Sequence, residues 1–250
     1  MVHFVGAGSG AVDLITVRGQ KLLQKADIVI YAGSLVNEEL LSETKQHCEI
    51  YNSAYMTLEQ VTKIMIDNRQ KEIVRLHTGD TCLYGAIREQ MDILSQHQIE
   101  YDICPGVSSF CGAAAALQIE YTLPDVSQTV IITRMEGKTP VPEKEDMAKL
   151  AQHQATMVIF LSAGLLEDLE KKLKQGGCAD DMPAAIVQKA TWKEEKVVHC
   201  TVSTLAQSAK KHHITKTALI IVGNVLGKQY KRSMLYHPAF STEFRKAEEI

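Results

Sequence analysis

Short aliphatic runs alternate with longer segments of mixed polarity along the first half of the chain. Such runs predict buried β-strands, and four of them fall at residues 3–5, 27–31, 73–77 and 101–104. The segments between them have helical spacing, including one that ends near Lys25 and one that holds the alanines at 113–116. Strands that alternate with helices predict an α/β fold built on a parallel sheet.

The second half repeats this alternation after an interruption at residues 122–128. Further strands are predicted at 129–133, 157–161, 184–188, 197–202 and 218–222. Between two of them, residues 165–174 place leucines at helical spacing, with acids first and lysines last, which predicts an amphipathic helix. We therefore expect an N-terminal α/β domain over residues 1–122, a C-terminal α/β domain over 128–235 and a polar tail over 236–250.

Composition narrows the class of protein without naming a function. The 250 residues carry 27 Lys and Arg against 30 Asp and Glu, a net charge of −3 with no long basic run, which argues against nucleic-acid binding. No apolar stretch approaches the roughly 20 residues of a membrane helix, and the first residues form no signal pattern. The six cysteines include no Cys-x-x-Cys pair, so we expect no metal site and a cytoplasmic location.

A glycine-rich loop follows the first predicted strand. Residues 6–11 match the G-x-G-x-x-[GA] pattern of dinucleotide-binding loops. A dinucleotide site also needs a carboxylate at the end of the next strand, to bind the ribose hydroxyls. That strand ends in Tyr31-Ala32-Gly33-Ser34 and has no acid. A dehydrogenase is therefore the weaker interpretation.

Small residues gather at four separate strand ends of the first half. They occupy residues 8–10, 33–34, 78–80 and 106–109. In an open parallel sheet the carboxyl ends of the strands line the ligand crevice. Small residues at all four ends predict a binding site in which backbone groups make most of the contacts.

Four motifs resemble those of the tetrapyrrole methylases, the S-adenosylmethionine-dependent enzymes of corrin and sirohaem synthesis. They are residues 5–10, 14–19, 79–85 and 105–109. Residues 31–36 and 127–134 are most similar to the family members that methylate carbon 11 of a precorrin-4-type macrocycle. The resemblance extends over residues 2–227 and includes motifs in both halves.

The resemblance implies a homodimer of two-domain α/β subunits, with S-adenosylmethionine in the cleft between the domains. By analogy, the cofactor contacts fall on Gly8, Ser9, Thr78, Gly79, Asp80, Leu83, Ser108, Ser109, Leu161, Ala190, Thr217, Ala218 and Leu219. A carboxylate at Asp80 would favour a cationic sulfonium or ammonium group. The alternative that this aspartate only caps a turn or helix stays open.

The family's substrate is a macrocycle fringed with carboxylates, for which arginine is the best-suited partner. Arg134 is the first candidate, followed by Arg18 and Lys138, and a surface charge or ion pair is the alternative for each. No Ser-His-Asp or paired-carboxylate arrangement can be read from the spacing, so we assign no catalytic residue. Methylation at another ring carbon, or tetrapyrrole binding without catalysis, remain the competing functions.

Overall fold

The computed structural model describes residues 1–248 and forms two units, each built around one five-stranded sheet. The first unit comprises Met1–Ala113 together with Lys189–Glu195, and the second comprises Ala114–Gln188 and the chain from Lys196 onward. The predicted α/β class and its two sheets are confirmed. The predicted limits at residues 122 and 128, the homodimer and the cleft between domains stay predictions. The last two residues of the predicted tail, 249 and 250, lie outside the described residues.

The first unit holds a parallel sheet in the order β3-β2-β4-β1-β5. Its strands are β1 (Val2–Gly6), β2 (Ile28–Tyr31), β3 (Glu49–Asn52), β4 (Ile73–His77) and β5 (Tyr101–Cys104), and its helices are α1 (Val17–Lys25), α2 (Leu58–Asp67) and α3 (Arg88–Gln96). Helix α4 (Ser109–Leu117) follows β5. The four predicted strands are confirmed, and β3 is the one that the aliphatic pattern missed.

The central strands of this sheet are buried on both faces, as their continuous aliphatic sequences predict. One face packs against Leu23 of α1, and the other packs against Met65 of α2 and Leu94 of α3. Helix α2 begins with a capping box in which Thr57 and Gln60 satisfy each other's backbone N–H groups. The helices after β1 and after β4 therefore lie on opposite faces of the sheet.

The second unit holds a mixed sheet in the order β6-β7-β10-β8-β9. Strands β6 (Val130–Arg134) and β7 (Thr156–Phe160) are parallel, whereas β8 (Pro183–Gln188), β9 (Lys196–Thr201) and β10 (Ala218–Val222) join through antiparallel pairs. Its helices are α5 (Met147–Ala151), α6 (Leu166–Gln175) and α7 (Leu205–Lys211). All five predicted strands are confirmed within a residue or two at their ends.

Helix α6 is the amphipathic helix that the sequence predicts. Leu169 and Leu173 are fully buried in the core of the second unit, and Glu167, Asp168, Lys171 and Lys174 are exposed. Gly177 ends the helix with φ +91°, its N–H donates to the carbonyl of Lys174, and the N–H of Cys178 donates to that of Leu173. These two bonds form a Schellman motif, for which a glycine in the left-handed region is the usual residue.

Candidate functional site

The candidate site lies at the carboxyl edge of the first sheet, where β1 and β4 are neighbours. The chain leaves these two strands toward helices on opposite faces, so their ends define a topological switch point. The glycine loop follows β1, and the Thr78-Gly79-Asp80 turn follows β4. The small residues at 8–10 and 78–80 therefore follow the ends of two neighbouring strands, as the sequence predicts.

Three strand ends meet here backbone to backbone. A methyl group on Gly106 would lie 2.2 Å from the carbonyl oxygen of Gly79 and 2.7 Å from the Cα of Gly6. A methyl group on Gly6 would in turn lie 2.6 Å from the same carbonyl oxygen. These distances are too short for any side chain. Glycine at positions 6 and 106 is therefore a steric requirement of the site, whereas Gly79 is favoured by its φ of +60°.

The glycine loop is tied directly to the turn after β4. The N–H of Gly79 donates to the carbonyl of Gly8 at 2.8 Å, and the N–H of Gly8 donates back at 3.2 Å. Both residues have left-handed backbones, with φ +86° at Gly8 and +60° at Gly79, which glycine adopts without steric cost. The pair holds the two loops as a two-residue antiparallel bridge.

Asp80 connects the turn after β4 to the segment after β5. Its Oδ1 accepts the N–H of Cys82 at 2.8 Å, and its Oδ2 accepts the N–H of Gly106 at 2.7 Å. Partial burial raises the pKa of this carboxyl, but the hydrogen bonds outweigh it, and the pKa lies below the ordinary value of 3.8. Asp80 is therefore a carboxylate at neutral pH, and it organises the backbone of two strand ends.

Two buried polar atoms beside this turn have no hydrogen-bond partner within residues 1–248. They are Nε2 of His77 and Oγ1 of Thr81. Burial, and secondarily the charge of Arg75, lowers the pKa of His77 to about 3, so its imidazole is neutral. A base this weak is poorly suited to accept a proton at neutral pH.

The loop between β8 and β9, Lys189–Glu195, belongs to the first unit and is called the strap below. Oγ1 of Thr191 accepts the N–H of Ala11 at 3.1 Å and lies 3.1 Å from Oγ of Ser9. In addition, Nδ2 of Asn37, which follows β2, donates to the carbonyl of Gly10 at 3.0 Å. The glycine loop is thus fixed by side chains from two separate segments.

The structure brings nine of the predicted cofactor residues into the first unit. These are Gly8, Ser9, Thr78, Gly79, Asp80, Leu83, Ser108, Ser109 and Ala190. Ser9 and Ser108 are buried, and Ser109 begins helix α4. Their role in binding a cofactor stays a prediction.

Four predicted cofactor residues lie in the second unit. Leu161 follows β7, and Thr217 precedes Ala218 and Leu219 at the start of β10. Because β7 and β10 are antiparallel neighbours, these segments share one edge of the sheet. Leu161 has φ +52° and Thr217 has φ +54°, which is strained for residues with branched side chains, and Leu161 is 67% exposed. Strain of this kind is often found at functional sites.

The three predicted substrate residues differ in their contacts. The guanidinium of Arg134 donates to the carbonyls of Met135, Thr139 and Pro140, so it organises the loop after β6. Across residues 1–248, Arg18 and Lys138 make no hydrogen bond or ion pair, and both are exposed. Of the two candidate arginines, Arg18 is thus the one whose guanidinium makes no hydrogen bond or ion pair within residues 1–248.

Sequence reasoning did not select Asn37, Thr191 or Trp192 as site residues. Asn37 belongs to a polar segment with no motif, and its contact depends on how the chain turns after β2. For the other two, the signal available was that they fall within residues 2–227, over which the chain resembles the family. Neither composition nor periodicity could have found their contacts with a loop some 180 residues earlier.

The fold and the candidate site define an α/β protein with a glycine-lined topological switch point at the carboxyl edge of its first sheet. The family model for tetrapyrrole (corrin/porphyrin) methylases matches residues 1–206. The chain therefore belongs to the tetrapyrrole methylase family.

The chain is similar to individual family members over nearly its full length. The cobalt-precorrin-4 C(11)-methyltransferase of Methanocaldococcus jannaschii is 52% identical over 249 residues, which cover 98% of this chain and 96% of the relative. The X-ray structure of a cobalt precorrin-4 methyltransferase, a cobalamin biosynthetic enzyme, has a TM-score of 0.89 at 44% identity and covers 91% of this chain and 96% of its own.

A more distant structure shares the fold. It is the uroporphyrin-III C-methyl transferase of Thermus thermophilus in complex with S-adenyl homocysteine, with a TM-score of 0.75 at 23% identity. It covers 90% of this chain and 93% of its own. No helix within residues 1–248 is long and apolar enough to cross a membrane.

The hydrogen bonds of Asp80 predict a pH-dependent stability. Asp80→Asn leaves one acceptor oxygen for two N–H donors, so we expect the free energy of unfolding at pH 7 to fall by about 1–3 kcal/mol. Because the pKa of Asp80 is lowered in the folded state, its stabilisation is present above pH 3.8 and is lost as the pH falls below it. The difference between variant and wild type should shrink in the same range.

Urea unfolding of both proteins at pH 7, 5 and 3 measures this difference. Asp67→Asn is the matched control, because Asp67 forms only an exposed pair with Lys63 on helix α2 and should change the stability by less than about 0.5 kcal/mol. Equal stability of Asp80→Asn and wild type at pH 7 would contradict the assigned role.

Proposed function

We propose that the protein is an S-adenosylmethionine-dependent methyltransferase that methylates carbon 11 of precorrin-4 or cobalt-precorrin-4 in cobalamin biosynthesis. The observation that carries this proposal is the 52% identity with a cobalt-precorrin-4 C(11)-methyltransferase across almost all of both chains. The site adds independent support, since a glycine-lined switch point suits a cofactor that is bound largely by backbone groups.

The residues at the site fit the proposed cofactor. The residues proposed to bind it are Gly8, Ser9, Thr78, Gly79, Asp80, Leu83, Leu161, Ser108, Ser109, Ala190, Thr217, Ala218 and Leu219. When bound, S-adenosylmethionine supplies an electrophilic methyl group on a positively charged sulfur. Asp80 is ionised at neutral pH, and carboxylates favour nearby positive charge.

The protein's main contribution to the reaction would be alignment. Orienting two bound reactants can lower a barrier by about 7–11 kcal/mol without any acid or base in the displacement itself. The glycine contacts and the Asp80 bonds hold three strand ends in fixed positions, as such alignment requires. No catalytic acid or base is assigned to this chain.

The proposed macrocycle carries several carboxylates. Because the net charge of the chain is −3, the overall charge does not attract such an anion, and local cationic side chains must bind it. Arg18 has a free guanidinium on helix α1, and Lys138 has a free ammonium group. Arg134 would act differently, because its guanidinium holds the loop that carries Lys138. We therefore propose Arg18 as the principal carboxylate partner, with Arg134 organising the loop.

Labelled product analysis tests the proposed reaction. The protein is incubated with S-adenosylmethionine carrying a ¹³C methyl group and with metal-free or cobalt-containing precorrin-4. We expect one labelled methyl group, which NMR places at carbon 11. Label at another ring carbon would instead indicate a family member with different regiochemistry. Binding of S-adenosylhomocysteine with no methyl transfer to either substrate would indicate a tetrapyrrole-binding protein without catalysis.

Steady-state kinetics of Arg18→Ala test the substrate contact. Loss of a charged hydrogen bond costs about 1.5–3 kcal/mol, so we expect KM for the macrocycle to rise about 10-fold to 100-fold. The affinity for S-adenosylhomocysteine and kcat should stay near wild type. Arg88→Ala is the control, because Arg88 forms only an exposed pair with Asp92. An unchanged KM in Arg18→Ala, together with a raised KM in Arg134→Ala of wild-type stability, would reverse the assignment.

A further inference from the structure

The strap places the chain's single tryptophan directly on the glycine loop. A methyl group on Gly10 would lie 2.1 Å from Cδ1 and 2.3 Å from Nε1 of Trp192, and 2.9 Å from the carbonyl oxygen of Ala190. The indole therefore lies against the Cα of Gly10. Gly10 has φ +154°, which is outside the range that residues other than glycine commonly adopt.

The strap is held in place by several independent contacts. Nζ of Lys193 pairs with Oε1 of Glu39 at 2.7 Å, and Nζ of Lys189 lies 5.4 Å from the centre of the Trp192 ring. The N–H of Thr191 donates to Oε2 of Glu195 at 2.6 Å. Lys189 and Thr191 both have positive φ, at +50° and +67°. Such strained backbone persists only where the surrounding contacts determine it.

The strap and Asn37 contact the same glycine loop. Asn37 binds the carbonyl of Gly10, Thr191 binds the N–H of Ala11, and Trp192 covers Gly10 between them. Ser9, whose hydroxyl lies 3.1 Å from that of Thr191, is 95% buried. These contacts restrain the loop, and a restrained loop loses less entropy when a ligand binds.

We propose that Trp192 is a positioning residue for cofactor binding, acting through Gly10 to keep the glycine loop in its cofactor-binding conformation. This role rests on the proposed function, in which the loop binds S-adenosylmethionine. The indole need not touch the cofactor. Its contribution is to prevent the loop from relaxing away from the bridge between Gly8 and Gly79.

The position of the single tryptophan supplies a direct readout. Its emission depends on how the indole packs, so binding at the glycine loop should change it. We expect wild-type fluorescence to change on titration with S-adenosylhomocysteine. The dissociation constant obtained should equal the one measured by calorimetry.

Two substitutions at Trp192 separate positioning from general stability. A small displacement of the groups that form a site can reduce its activity by up to about 100-fold. We therefore expect Trp192→Ala to weaken the binding of S-adenosylhomocysteine at least about 10-fold, as measured by calorimetry. Trp192→Phe retains a flat ring and should recover most of that affinity. In kinetics, KM for S-adenosylmethionine should rise in Trp192→Ala while KM for the macrocycle stays near wild type. Tyr236→Ala removes an exposed aromatic ring in the chain after β10 and is the matched control.

A double-mutant cycle tests whether the effect passes through Gly10. Gly10→Ala in the wild type should strongly weaken the binding of S-adenosylhomocysteine, because the added methyl group collides with the indole of Trp192. In the Trp192→Ala background the same change should cost at least severalfold less. Thr191→Val, which removes the bond to Ala11 but keeps the branched side chain, should weaken binding severalfold and serves if Trp192→Ala does not fold.

Each result has a defined meaning. Wild-type affinity in a folded Trp192→Ala protein, or additive effects of Gly10→Ala and Trp192→Ala, would overturn the positioning role while leaving the proposed function intact. If Trp192→Ala does not fold, wild-type affinity in Thr191→Val would overturn it. A wild-type protein that does not bind S-adenosylhomocysteine by calorimetry would overturn the proposed function and the positioning role with it.

Discussion

The candidate site depends on one steric constraint, the direct contact of backbone atoms at Gly6, Gly79 and Gly106. No side chain fits at Gly6 or Gly106, because an added methyl group there would overlap the carbonyl oxygen of Gly79, and the φ of +60° at Gly79 favours glycine. The contact brings the ends of β1, β4 and β5 close enough for Gly8 to bridge Gly79 and for Asp80 to bind Gly106. The geometry of the site follows from these three glycines.

Charge in the first unit is arranged locally, since the overall balance is only −3. Asp80 is held ionised by two backbone N–H groups, whereas the imidazole of His77 beside it is kept neutral by burial. Arg18 remains free on helix α1. The unit therefore has a fixed negative charge at the strand ends and, within residues 1–248, an exposed arginine without an ionic partner on helix α1, which suits the proposed cationic cofactor and anionic macrocycle.

Much of the fold could be predicted, because strands buried on both faces must be continuous aliphatic runs. Strand β3 escaped prediction because it lies at the sheet edge and its sequence, Glu-Ile-Tyr-Asn, has no such run. The glycine loop and strand-end motifs were readable since turn residues act locally. The strap was not, because Thr191 and Trp192 reach Ser9 and Gly10 only through the tertiary fold. The bonds of Arg134 likewise depend on the path of the loop after it.

The affinity of Gly106→Ala for S-adenosylhomocysteine tests the central claim most directly. Gly137→Ala is the control, because a methyl group there meets only a side-chain atom of Leu165 at 3.4 Å. Calorimetry should show that Gly137→Ala binds S-adenosylhomocysteine like wild type. In Gly106→Ala the added methyl group would lie 2.2 Å from the carbonyl oxygen of Gly79, so we expect binding to be at least about 10-fold weaker. A folded Gly106→Ala protein with wild-type affinity would show that the glycine contact does not determine the site.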